Sequence, residues 1–171
     1  ASASTFLRGD NAWASAGGDN SAAFFAYATS NQTLVSNTQT KLVLDTETFD
    51  SDSAFDKDTN YRFTVPTGKG GKYLIYASAD MKSSTHTEVR EGGIFIYKNG
   101  AEVQVSLQGY FGPDANDAYD INPTLTGVMD LAEDDYIELW GFITVRSGTP
   151  TIRGDTGRTR TYMGAHRLIG V

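Results

Sequence analysis

The chain has 171 residues, a formal net charge of −7, 12% aromatic residues, 18 glycines and no cysteine. One domain of this length buries roughly 70% of its unfolded surface, so a core of useful size is available without cross-links. The acidic balance excludes non-specific nucleic-acid binding, which needs clustered Lys and Arg against phosphates. The missing thiols exclude disulfides and thiolate metal sites, and no apolar run approaches the ~20 residues of a membrane-spanning helix. A solvated acidic surface is the simplest reading of the charge, and no secretory signal pattern is read at the N-terminus.

Residues 1–20, ASASTFLRGDNAWASAGGDN, are small, polar and glycine-containing, and read as a connector with Phe6, Leu7 and Trp13 as its anchors. Residues 22–29 (AAFFAYAT) predict a first strand rich in aromatics. A second is predicted over 40–44, with Leu42 and Leu44 on one side and Lys41 and Val43 on the other. Residues 45–58 carry six carboxylates: Asp45, Glu47, Asp50, Asp52, Asp56 and Asp58. A calcium ion would want several such oxygens, but the EF-hand spacing is absent. Phe49 and Phe55 interrupt the run as if pinning a loop, so a solvated loop is the preferred reading over a calcium site.

Tyr61, Phe63 and Val65 alternate with Arg62 and Thr64, the period of a half-buried strand. Pro66 cannot donate to a ladder and Gly68, Gly70 and Gly71 relax the backbone, so a corner follows. Residues 73–77 are apolar on both faces, which predicts a strand covered once by its own domain and once by another body. An oligomer is therefore expected. Residues 80–92 read as a polar loop and 93–97 (GIFIY) as a strand. Asn99-Gly100 then favours a tight hairpin. The returning strand, 102–107, alternates Val103, Val105 and Leu107 with Glu102, Gln104 and Ser106. Residues 110–120 read as a loop. In the strand over 124–131, Leu125, Gly127, Met129 and Leu131 face one way. After a turn at 133–135 comes the longest strand, 136–145. Ile137, Leu139, Ile143 and Val145 lie on one of its faces, Tyr136, Trp140 and Phe142 on the other. A loop over 146–158 leads to the closing segment, 160–171. About nine strands with no connecting helix predict an all-β sandwich, a jelly roll.

Three stretches carry a family resemblance. Asp50, Phe55, Phe63, Pro66, Gly71, Tyr73 and Ile75 form the first, and Ile96-Tyr97-Lys98-Asn99-Gly100 the second. The third is Glu133-Asp134-Asp135-Tyr136-Ile137-Glu138-Leu139 followed by Thr161-Tyr162-Met163-Gly164. Together they resemble the superfamily of the complement first-component globular head and tumour necrosis factor, over residues 22–171. The corner before Tyr73 is longer than that family's, Ile75 replaces a Phe and Glu133 a Gly. The resemblance implies a ten-strand jelly-roll sandwich forming a bell-shaped homotrimer. It also implies that the sheet with the first, Tyr73 and C-terminal strands faces the threefold axis. On that reading Phe24, Phe25, Tyr27, Tyr73, Leu74 and Tyr76 form the trimer interface. It does not account for Trp140, whose strand belongs to the outer sheet.

The segment from Thr5 to Trp13 resembles the Phe-Leu-Arg-Gly-Asp-x-x-Trp connector that precedes terminal domains of phage tail fibres. The two resemblances together imply a connector over 1–20, a head over 21–171, and the receptor-binding tip of a tail fibre on the virion exterior. Implied partners are a host surface glycan or protein and, through the connector, other virion or fibre proteins. A virion cap or decoration protein, or a secreted bacterial binding module, are the alternatives. The short connections at 66–71, 98–101 and 132–135 alternate with long ones at 80–92, 110–120 and 146–158. The long ones should therefore gather at one end, opposite the C-terminus and the connector. Loops so placed commonly carry binding residues, and Tyr110, Phe111, Tyr119, Arg153 and Arg158 are of types that anchor interfaces.

Chemistry finds little support. His86 and His166 stand in separate segments, so the His/Glu cluster of a metal-binding cupin is missing. There is no Gly-x-Ser-x-Gly elbow, and no carboxylate pair is singled out for glycoside hydrolysis. Residues 114–117 begin like a calcium loop, but Leu125 stands where the bidentate Glu belongs. Arg8-Gly9-Asp10 and Arg153-Gly154-Asp155 spell an integrin tripeptide that common loop residues produce by chance. The expectation is a non-enzymatic binding head without cofactor or metal.

Overall fold

The computed structural model describes residues 5–7, 9, 13–15, 21–109, 118–157 and 160–169, and every regular element among them is a β-strand. The first eight are β1 (Thr5–Leu7), β2 (Trp13–Ser15), β3 (Ala23–Tyr27), β4 (Gln32–Thr33), β5 (Thr40–Lys41), β6 (Thr46–Asp50), β7 (Phe55–Asp56) and β8 (Arg62–Thr64). There follow β9 (Gly71–Ser78), β10 (Asp80–Ser83), β11 (Val89–Lys98), β12 (Ala101–Gly109) and β13 (Asp120–Ile121). The last are β14 (Thr124–Leu131), β15 (Tyr136–Val145), β16 (Pro150–Arg153) and β17 (Tyr162–Arg167).

Two antiparallel sheets face each other. One runs β12-β11-β15-β8-β7, with β5 beside β15, and the other runs β14-β9-β17-β3-β6. Period-2 alternation sends one set of side chains inward from each sheet. Phe24 stacks on Phe55 and Phe63 at 5.0 and 4.8 Å between ring centroids, and Phe63 meets Tyr73 at 5.7 Å. Ile75, Ile94, Ile96, Ile137, Leu139 and Ile143 complete the fully buried centre. Each such side chain contributes about 1.5–3 kcal/mol by leaving water. Phe24 and Tyr73 were expected at a trimer interface. They lie in the core of the single chain instead, because alternation turns them to the inner face. Tyr73 donates its hydroxyl to the Lys69 carbonyl at 2.6 Å, and burial raises the phenol's pKa.

Segments expected to be loops contain short strands. Residues 45–58 hold β6 and β7, and Asp45, Asp50 and Asp56 accept hydrogen bonds within the fold. Asp45 accepts the Thr29 N–H at 2.9 Å and hydroxyl at 2.6 Å, and Asp50 accepts the Phe55 N–H at 2.7 Å. Asp56 accepts the Thr59 N–H and the Asn60 side-chain amide, which lower its pKa in that order. Among the described residues no group of three or more His, Asp or Glu is placed to hold a metal ion. The 114–117 segment lies outside them.

The long connections 80–92 and 146–158 likewise hold β10 and β16. With β13 and β4 they form a third sheet, ordered β13-β10-β16-β4. This small sheet caps one end of the sandwich: Tyr162 pairs with both Ser78 and Tyr27, and Thr124 with Ser78, just where β10 departs. The short connections lie at the other end, where Leu131 pairs with Gly71 and Arg167 with Tyr73. There Asn99 and Gly100 take φ of 51° and 81°, the left-handed pair that a tight hairpin needs. Since β3 and β9 are both antiparallel to β17, they run parallel to each other. The chain therefore enters the sandwich at the short-connection end. Ahead of it, β1 and β2 pair as a hairpin within the predicted connector.

Candidate functional site

Three surfaces stand out. The first is the outward face of the β14-β9-β17-β3-β6 sheet. Pairing register lays its outward residues in rows: Thr126, Tyr76, Gly164, Phe25 and Phe49 across the middle, and Val128, Leu74, His166 and Ala23 beside them. Phe25 lies 5.3 Å from Tyr162 and 6.2 Å from Tyr76, ring centroid to centroid. Tyr76 stacks on His166 at 5.9 Å, with its hydroxyl 3.3 Å from His166 Nε2. Gly164 makes room for this, because a Cβ there would meet the Tyr76 ring at 2.5 Å. Burial, then the neighbouring Tyr162, raise the Tyr76 pKa and keep the phenol neutral. Phe49 and Val128 remain 40% and 54% exposed at the two flanks.

Of the residues expected at an interface, Phe25, Leu74 and Tyr76 are half-buried on this face. Tyr27 shares it and is already largely covered. Phe49, Val128, Tyr162 and His166 share this face and were not among the residues expected there. Phe49 was assigned to a loop, but it faces Phe25 in the β3–β6 register. Tyr162 and His166 carry a legible signal, since with Gly164 they occupy alternate positions on one strand.

The second surface is the capped end. Here the Asp80 carboxylate, 6% exposed, pairs with Arg153 Nη2 and Arg160 Nη1, both at 2.5 Å. Arg153 Nη2 also meets Asp120 Oδ2 at 2.6 Å. Burial depresses the Arg153 pKa, but the Asp80 and Asp120 carboxylates outweigh it and leave the value raised. Arg153 was expected as an outward anchor. It ties β16 to β10 and β13 instead, because 150–153 is a strand in the cap and not an open loop. Tyr119 is 47% exposed, with its ring 4.3 Å from that of His86. Tyr110, Phe111 and Arg158 lie outside the described residues.

The third surface is on the outer face of the other sheet, around Trp140, which the sequence places with Phe142 on one face of its strand. Trp140 stacks on Tyr97 at 4.7 Å and donates its indole N–H to Glu138 Oε2 at 3.1 Å. Glu138, 6% exposed, is paired by Lys41 at 2.7 Å. Beside this stack lies a groove of about 350 Å³ lined by Phe95, Phe142, Val105 and Leu107, with Asn37, Gln39, Glu91 and Glu102 at its margin.

Two facing antiparallel sheets in this order make the fold a jelly-roll sandwich. It is similar to the Eiger tumour necrosis factor of S. frugiperda, with a TM-score of 0.63 at 9% identity over 87% of this chain and 93% of that one. The globular domain of zebrafish complement 1qA protein gives 0.57 at 10% identity, over 85% and 96%. Murine APRIL at pH 5.0 gives 0.58 at 11% identity, over 85% and 98%. At these identities the likeness concerns the fold alone. No family model matches the chain, and no curated protein matches it.

Proposed function

We propose that the chain is a non-enzymatic binding head that assembles as a homotrimer through the outward face of the β14-β9-β17-β3-β6 sheet. The observation that carries this is the aromatic patch of Phe25, Phe49, Tyr76, Tyr162 and His166, with Val128 at its flank, left open to solvent in the single chain. Contiguous exposed patches of this kind mark interaction surfaces, and obligate interfaces resemble a core cut in half. Residues 1–20 serve as the connector to a fibre and 21–171 as the head. The similarity of Thr5 to Trp13 to tail-fibre connectors favours the tip of a phage tail fibre, displayed on the virion exterior. The chain enters at the short-connection end, so such a fibre presents the capped end to a host surface glycan or protein.

Size-exclusion chromatography with light scattering should report three times the chain mass. A stable monomer at micromolar concentration would defeat the proposal. Replacing Tyr110, Tyr119 and Arg158 together by Ala should abolish host-cell binding with the trimer intact. Arg153 stays out of that set because its loss would take one guanidinium from Asp80 and the one that meets Asp120. A trimer that ignores host cells but binds virion proteins through 1–20 would instead be a structural cap.

A further inference from the structure

We propose that the groove on the outer face of β11, β12 and β15 is a binding site for an uncharged sugar ring, a neutral hexopyranose or an N-acetylhexosamine. The site is distinct from the capped end and does not depend on the trimer. Its floor and walls come from Phe95, Phe142, Val105 and Leu107. Cross-strand register accounts for this: Phe95 lies opposite Val105 on one side and Trp140 on the other, and Gly93 lies opposite Leu107 and Phe142. Gly93 keeps the depression open, since a Cβ there would collide with the Leu107 methyl that lies across it.

The margin of the groove is already built. Gln39 accepts the Tyr97 hydroxyl through Oε1 and donates Nε2 to Glu102 Oε2 at 3.1 Å, which closes one end. The second Glu102 oxygen has no bond of its own among the described residues. At the opposite end the Glu91 carboxylate has no partner among the described residues, and neither has the Asn37 side-chain amide. Such a site offers two anionic acceptors and one amide around an apolar floor, with no Lys or Arg in the lining. A carboxylated or phosphorylated ligand is repelled by that margin. A purely apolar ligand would displace water from the half-buried Glu91 carboxylate and offer it no hydrogen bond in return, which is costly. A pyranose meets both demands, packing its C–H face on the floor and donating hydroxyls to Glu91 and Glu102. The volume lies near the lower end of the roughly 300–1,000 Å³ range of small-ligand sites and suits one or two rings. In the β11–β12 register Glu91 lies opposite Gly109, away from Tyr97 and Glu102, so a longer glycan would leave the groove toward the capped end.

Saturation-transfer NMR and calorimetry on the full chain would test this with methyl glucoside, methyl galactoside and N-acetylglucosamine. N-acetylneuraminic acid and glucuronic acid serve as charged controls. At least one neutral sugar should bind and neither acid should. Glu91→Gln should weaken binding about tenfold, the scale of one lost hydrogen bond to a charged group. Val105→Trp should fill the groove and abolish binding without changing the melting temperature. Absence of neutral-sugar binding, equal binding of the acids, or binding that survives Val105→Trp would overturn the proposal. So would dissociation of the oligomer by Val105→Trp, which would assign the groove to a subunit contact. The sugar-binding results leave the light-scattering mass of the unaltered chain untouched, so the two readings fail separately.

Discussion

Asp135 sits under the Asn99-Gly100 turn, where Lys98 Nζ approaches it at 2.7 Å and the Asn99 side-chain amide donates at 2.6 Å. The Ala132 N–H donates to the same carboxylate at 2.7 Å. The Lys98 contact is the largest cause, Asn99 the next, of a pKa lowered to about 2. Because the folded value lies below the unfolded one, the stabilisation is present above the ordinary carboxylate value and is lost as pH falls toward about 2. Chemical denaturation between about pH 4 and pH 2 should show this loss. Asp135→Asn should cost about 2 kcal/mol at neutral pH and flatten that pH dependence. Asp80 is a harsher case, since it is buried against two guanidinium groups. Asp80→Asn removes the carboxylate that both guanidiniums share, leaving Arg153 with Asp120 and Arg160 with Asp155, and should cost about 1.5–3 kcal/mol in denaturant titration. A loss under 1 kcal/mol would mean that water reaches the pair freely.

Among the elements, β17 is the middle strand of its five-stranded sheet, flanked by β9 and β3. Its inward residues Met163 and Ala165 belong to the core, while Tyr162 and His166 face outward. Gly164 supports the ring of Tyr76, so Gly164→Ala should tip that ring away from Phe25 and His166. The contact falls at the far end of a half-exposed side chain, which can move without breaking the sheet. On the proposed trimer, the expected outcome is a folded protein with an unchanged far-UV spectrum whose light-scattering mass shifts toward the monomer. An unchanged trimer would remove Tyr76 from the interface.

At the scale of the whole molecule, stability rests on two sheets closed over one apolar core and on a cap held by ion pairs. In 45–58, Asp45, Asp50 and Asp56 are engaged by hydrogen bonds from the protein. Melting curves with and without a chelator should therefore coincide. A midpoint lowered by chelation would show an ion holding that region together.

The all-β architecture, the core strands and the hairpin at Asn99-Gly100 were legible in the sequence, because alternation and turn chemistry are local properties that a single strand displays. The two-faced apolarity of 73–77 was legible too, but not which residues belonged to which face. Phe24 and Tyr73 turn inward while Phe25, Leu74 and Tyr76 turn outward, and only the register with β17 decides it. The cap was hidden for a related reason. Its strands β4, β10, β13 and β16 run two to four residues, too short for a period to show. They are strands because distant segments supply their partners, as when Arg153 closes on Asp80 and Asp120 across the folded chain. The groove beside Trp140 is likewise a property of three neighbouring strands. Sequence determined the strands that carry their own pattern, and tertiary structure decided every feature that needs a partner far along the chain.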